Sequence, residues 1–155
     1  MRSAPFRTAL LPLSLALAPV AGAVAQTEPA TNGEPAREPL RIAYHIGEGV
    51  DQAAAVVQNI RNQLRIAPDI RIAVVAVGPG TDFLIEGAKD RNGNPFDATV
   101  EDLAAQGVSF RICETTMHTR GVTKADILPE ALVVPSGMNE LARLQLQEHY
   151  AYIRP

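Results

Sequence analysis

The chain reads as an α/β protein, a three-layer α/β/α sandwich around a mainly parallel five-stranded sheet. Three observations predict this. Short β-branched runs alternate with segments of helical period, Gly/Pro turns punctuate the run ends, and residues 70–77, "IRIAVVAV", are almost continuously apolar. Such a run suits a strand buried on both faces, and strand–helix alternation implies parallel pairing, because parallel neighbours need a crossover between them.

The first 25 residues are set apart as an export signal. Arg2 and Arg7 make a positive start, residues 9–20 are apolar, and Ala23-Val24-Ala25 offers the small-x-small pattern for cleavage after Ala25. An uncleaved anchor is the rival, but Pro12 and Pro19 interrupt a run already shorter than the roughly 20 residues of a spanning helix. Residues 26–38, "QTEPATNGEPARE", hold no bulky apolar side chain and read as a flexible linker. The domain is then residues 39–155, in a periplasmic or secreted protein with no stable membrane insertion after cleavage.

Residues 40–46 predict the first strand, ended by Gly47-Glu48-Gly49. Residues 51–66 place Ala53, Val56, Val57, Ile60 and Leu64 on one helical face, with Asp51 as N-cap. Residues 70–77 are the second strand, stopped by Gly78-Pro79-Gly80. "DFLIEGA" predicts one or two helical turns, residues 90–95 a loop, and residues 98–106 a helix that Gly107 ends. Residues 108–113 are the third strand. A polar connection with a short helix around residues 123–127 leads to the fourth, residues 131–134. Ser136 is the expected N-cap of a last helix that turns Met138, Leu141, Ala142 and Leu144 inward, and residues 150–153 form a fifth, edge strand.

Removing the signal takes away Arg2 and Arg7 and no acid, leaving 12 basic against 17 acidic side chains, a formal charge of −5. No concentrated basic face is present, which argues against nucleic acid as a partner and against a polybasic membrane contact. One cysteine, Cys113, rules out an internal disulfide, so the core must hold the fold.

Ligand crevices of open parallel sheets lie beyond the carboxyl ends of the strands. Four segments should meet there: residues 44–47, Gly78-Pro79-Gly80, Cys113-Glu114-Thr115 and Pro135-Ser136-Gly137. Two readings of Cys113 stay open. At a strand end, close to the N-terminus of any helix that follows and with Arg120 and Lys124 as candidate cations, its thiolate would be favoured and could accept a sulfane sulfur. It equally suits a small apolar residue at the core's edge. His45 is either a proton-transfer or substrate-orienting group or a hydrogen-bonded strand-end histidine. Glu114, next to the thiol, would oppose a thiolate. Cys113 with His118 is too few ligands for zinc or haem, so no metal is assigned, and no cofactor is implied. The glycine turns lack the spacing of a dinucleotide or phosphate loop, and Ser136 is not in a nucleophile elbow.

The ordered pieces "IAYHIGEG", "VVAVGPG", "GVSFRICETT", "LPEALVVPSGMNELARLQ" and "YAYIRP" resemble the DsrE/DsrF-like family, particularly its small single-domain branch related to YchN. The resemblance covers residues 40–155. It implies the five-stranded sandwich, homo-oligomers such as trimers or hexamers, and sulfur relay through a persulfide on a strand-end cysteine. Cys113 and Thr116 match the branch's C-x-x-T and His45 its Tyr-His strand end. The expectation is thus an exported sulfur carrier with Cys113 catalytic, His45, Gly78, Thr116 and Ser136 supporting the pocket, and a sulfur donor or acceptor protein as partner. The alternative is a non-catalytic oligomeric small-ligand-binding module with a structural cysteine.

Overall fold

A computed structural model of the chain describes residues 38–155. The expected signal and all but the last residue of the expected linker lie outside the described residues. Five parallel strands form one sheet: β1 Arg41–Ile46, β2 Arg71–Ala76, β3 Ser109–Cys113, β4 Ala131–Val134 and β5 Ala151–Ile153, in the spatial order β4-β3-β2-β1-β5. Four α-helices join them: α1 Val50–Ile66, α2 Phe96–Ala105, α3 Glu114–Arg120 and α4 Gly137–Glu148.

The period-2 alternation of β1 and β2 divides the molecule into unequal layers. Ile42, Tyr44, Ile46, Ile72 and Val74 face one way, into the large core built with Val56 and Ile60 of α1, Val100 and Leu103 of α2, Met117 of α3, and Phe83 and Phe110. Ala43, Ala73 and Val75 face the other way and meet Leu141 and Leu144 of α4. Small side chains on that face let one helix lie close to the sheet, so three α-helices and the segment carrying Phe83 cover one side and α4 alone covers much of the other.

Several expectations shift by a residue or two. Asp51 is not the N-cap of α1. Gly49, at φ 93°, occupies that place, its carbonyl accepts the first helical hydrogen bond from Ala53 N at 3.1 Å, and Asp51 sits in the first turn, where its charge suits the helix dipole. The helix expected at residues 98–106 begins earlier, at Phe96. In α4 the buried positions are Gly137, Leu141 and Leu144, spaced four and three residues apart, while Met138 and Ala142 are exposed one position round the helix. Ser136 does cap α4, its hydroxyl accepting from Asn139 N at 3.4 Å. The polar stretch "ETTMHTR" is the helix α3, and "GPGTDFL" is a 3-10 helix spanning Gly78–Leu84.

The 3-10 segment explains Gly80. A Cβ there would stand 2.2 Å from the Ile46 carbonyl oxygen and 2.7 Å from Gly47 N, so the chain after β2 crosses against the end of β1 with no room for a side chain. Gln52 secures the same corner: its Oε1 accepts from Gly47 N at 2.7 Å and Glu48 N at 2.9 Å, and its Nε2 donates to Pro155 O at 2.9 Å. The backbone after β5 is thereby tied to the turn after β1.

Candidate functional site

The carboxyl ends of β1, β2, β3 and β4 converge on a cavity of about 440 Å³. All five residues singled out from the sequence, His45, Gly78, Cys113, Thr116 and Ser136, line it. Arg154, just beyond β5, lines it too and has no counterpart in the sequence reading. A hollow of about 460 Å³ between α1 and α2 carries neither cysteine nor histidine.

Cys113 is the last residue of β3, the position before α3, and is 6% exposed. Burial raises its thiol pKa, but the Gly137 N–H, the Thr116 hydroxyl and the N–H groups of Thr116 and Thr115 together outweigh that, leaving the pKa below the ordinary thiol value. These groups favour the charged form because each can donate a hydrogen toward the sulfur. Each donor has a structural cause. Gly137 can approach because it has no side chain; a Cβ would lie 2.2 Å from Val77 Cγ1 and 3.3 Å from Cys113 Cβ. Thr116 Oγ1 accepts from Gly78 N at 3.0 Å, which leaves its hydroxyl proton free for the sulfur. Gly78 reaches Thr116 from a left-handed backbone at φ 52°.

The cations expected to favour the thiolate are placed elsewhere. Arg120 pairs with Asp82 and donates to Thr81 Oγ1 at 2.9 Å and Gly78 O at 3.2 Å, securing the 3-10 segment. Lys124 and His118 line a separate hollow with Glu114, so the acid beside Cys113 in sequence faces away from the cavity. Backbone amides take the role that the sequence reading gave to charged side chains. Among the described residues, no three His, Cys, Asp or Glu side chains are grouped to hold a metal.

His45 stands on the α4 side of β1. Tyr152 of β5 pairs with Ala43, two residues away on the same face, and its hydroxyl lies 2.8 Å from His45 Nδ1. Desolvation, then the charge of Arg154, lowers the His45 pKa, with Glu48 opposing them, so the ring is neutral at pH 7.

A parallel α/β sandwich with a thiol at the carboxyl end of an interior strand, beside the amide that starts a helix, defines a class of small thiol-bearing pocket proteins. The model of the DsrE/DsrF-like family matches residues 23–155, and the chain belongs to that family. Among solved structures, MTH1491 from Methanobacterium thermoautotrophicum, described as a protein of unknown function, superposes with a TM-score of 0.66 at 31% identity, over 75% of this chain and 99% of that one. The YchN protein of E. coli superposes with a TM-score of 0.61 at 15% identity, over the same 75% and 99%, a likeness of fold. No curated protein matches the chain.

Proposed function

We propose that this protein is an exported sulfur carrier in which Cys113 accepts a sulfane sulfur as a persulfide and passes it on. The supporting observation is the cavity-lining thiol whose thiolate four polar groups stabilise against burial. The thiolate attacks the outer sulfur of a donor, a bond forms to Cys113 Sγ, the donor's own sulfur bond breaks, and its electron pair leaves with the rest of the donor. Ser136 and Gly78 act through the elements they start, α4 and the 3-10 segment, which deliver the Gly137 amide and Thr116. Export follows from the reading of residues 1–25, and a donor or acceptor protein would be met outside the cytoplasm. The chain works as a homo-oligomer, a trimer or hexamer by its family resemblance.

Intact mass of the mature protein after incubation with polysulfide tests this. One added sulfur, removed by reductant and absent from Cys113→Ala, is the expected result. The second reading, a ligand-binding module with a packed cysteine, is favoured by the 6% exposure of Cys113. It becomes the better account if the native protein gains no sulfur and Cys113 is labelled only after denaturation.

A further inference from the structure

The cavity has a second polar end, away from any role so far given to Cys113. Gly47 follows β1, and the point its missing Cβ would occupy lies 3.5 Å from His45 Nε2 and 3.8 Å from Arg154 Nη2. Two nitrogens from opposite ends of the domain therefore face one small open volume. His45 is 8% exposed, and its Nε2 is buried with no hydrogen-bond partner. An unpaired buried nitrogen is costly unless a ligand completes it.

The chemistry of that ligand follows from the donors. In the tautomer whose Nδ1 accepts from the Tyr152 hydroxyl at 2.8 Å, the neutral imidazole carries its proton on Nε2 and offers it to the cavity. Arg154 is held from outside by Glu48 Oε1 at 2.9 Å, and its guanidinium has further N–H groups to give. Among the described residues lining the cavity there is no carboxylate; hydroxyls of Thr115, Thr116, Thr119 and Ser136 complete its polar wall. Arg154 already has one carboxylate partner outside, but its spare N–H groups, like His45 Nε2, can only donate, so a cation meets repulsion whereas a compact oxyanion accepts from both nitrogens.

We propose that the Gly47 end of the cavity is an oxyanion subsite, and that the sulfur donor is a small sulfonate-capped sulfane anion of the thiosulfate class. The donor class rests on the reading of Cys113 as sulfur acceptor; the subsite does not. The donor's oxygens meet His45 Nε2 and Arg154 while its outer sulfur meets Cys113. The Cys113 thiolate attacks that sulfur, the S–S bond of thiosulfate breaks, and sulfite leaves with the electron pair: thiolate plus S2O3²⁻ gives persulfide anion plus SO3²⁻, with charge and electrons conserved and no other reactant.

Gly47→Ala is the direct probe. Its methyl would meet neighbours at 3.5–3.8 Å, ordinary van der Waals contact, so the fold accommodates it while the open volume is filled. Wild type, Gly47→Ala and Arg154→Gln are compared in two assays: protection of Cys113 from iodoacetamide by inorganic sulfate, and sulfur gain from thiosulfate by intact mass. The expected result is sulfate protection in wild type alone, with the ratio of thiosulfate to iodoacetamide rates falling about tenfold in either variant, the scale of one lost charged hydrogen bond. Equal protection and equal ratios in all three proteins overturn the subsite, whatever Cys113 does. Sulfate protection specific to wild type, with no sulfur gained from thiosulfate or polysulfide, upholds the subsite and overturns the persulfide reading. Sulfur gain from polysulfide but not thiosulfate overturns the donor class.

Discussion

Burial and hydrogen bonding pull the Cys113 thiol in opposite directions, and the balance rests on residues whose own positions are fixed by glycines. Gly137 lets α4 start against the sulfur, and Gly78 sets the hydroxyl of Thr116. Because the folded pKa lies below the ordinary thiol value, the thiolate form is favoured by folding. That contribution to stability is present above the unfolded thiol's pKa and is lost as pH falls through the lowered folded value. Reactivity follows the same curve. Thr116→Val, which keeps the shape and removes the hydroxyl, should move the pH midpoint of iodoacetamide alkylation upward and slow alkylation at neutral pH by about tenfold, the lower end of the effect of one hydrogen bond to a charged group. An unchanged pH profile would remove Thr116 from the account of the thiol. His45 was legible because Gly47 punctuates its strand end, Cys113 because an apolar run gives way to polar residues there, and Thr116 only through the family's C-x-x-T. Arg154 was not: it follows a three-residue strand 108 residues beyond Ile46 in number, and nothing local in "YIRP" marks it as a neighbour of Gly47.

At the scale of elements, α4 is fastened to the sheet by an ionic group as well as by Leu141 and Leu144. Glu140 accepts from Arg111 of β3 and from Arg143, at 2.9 Å to Nε and 2.7 Å to Nη2, and Arg143 reaches on to Glu148. The Arg111 and Glu140 side chains are 14% and 12% exposed, whereas Glu148 is 38% exposed. Glu140→Ala should therefore cost about 3–5 kcal/mol in urea denaturation by stranding the Arg111 charge, against about 0–1 kcal/mol for Glu148→Ala. Equal losses would mean that apolar contacts alone hold α4. The elements most visible in the sequence were those with many apolar side chains to place, such as β2 and α1. Helix α3 was hidden because only Met117 in "ETTMHTR" is buried, which leaves no periodicity to read. The phase of α4 was misjudged for a related reason: Met138 and Ala142 are apolar, yet Gly137 takes the inward place because the sheet is closest there.

For the molecule as a whole, the two faces of the sheet are unequally covered. Leu132 of β4 stands on the same face as Arg111 and is 58% exposed, and Met138 at the start of α4 is 52% exposed. The formal charge of −5 left once residues 1–25 are removed opposes association of copies through these side chains only weakly. The proposed homo-oligomer would use this face. Light scattering after size exclusion should give a mass several times that of one chain for wild type, and the mass of a single chain for Leu132→Glu. A monomeric wild type ends the oligomer proposal, and an assembled Leu132→Glu moves the interface elsewhere.

Strand β5 is three residues long, and the bonds it brings are among the most distant in sequence: His45 to Tyr152 spans 107 positions, Glu48 to Arg154 spans 106, and Gln52 to Pro155 spans 103. Contacts of that span carry the largest loop-closure cost and form late in folding, and a short edge strand is among the first to open again. Cys113 and His45 belong to the interior strands β3 and β1, whereas Arg154 is held in place beyond the short edge strand and detaches with it. The Arg154 end of the pocket thus leans on the shortest strand of the sheet.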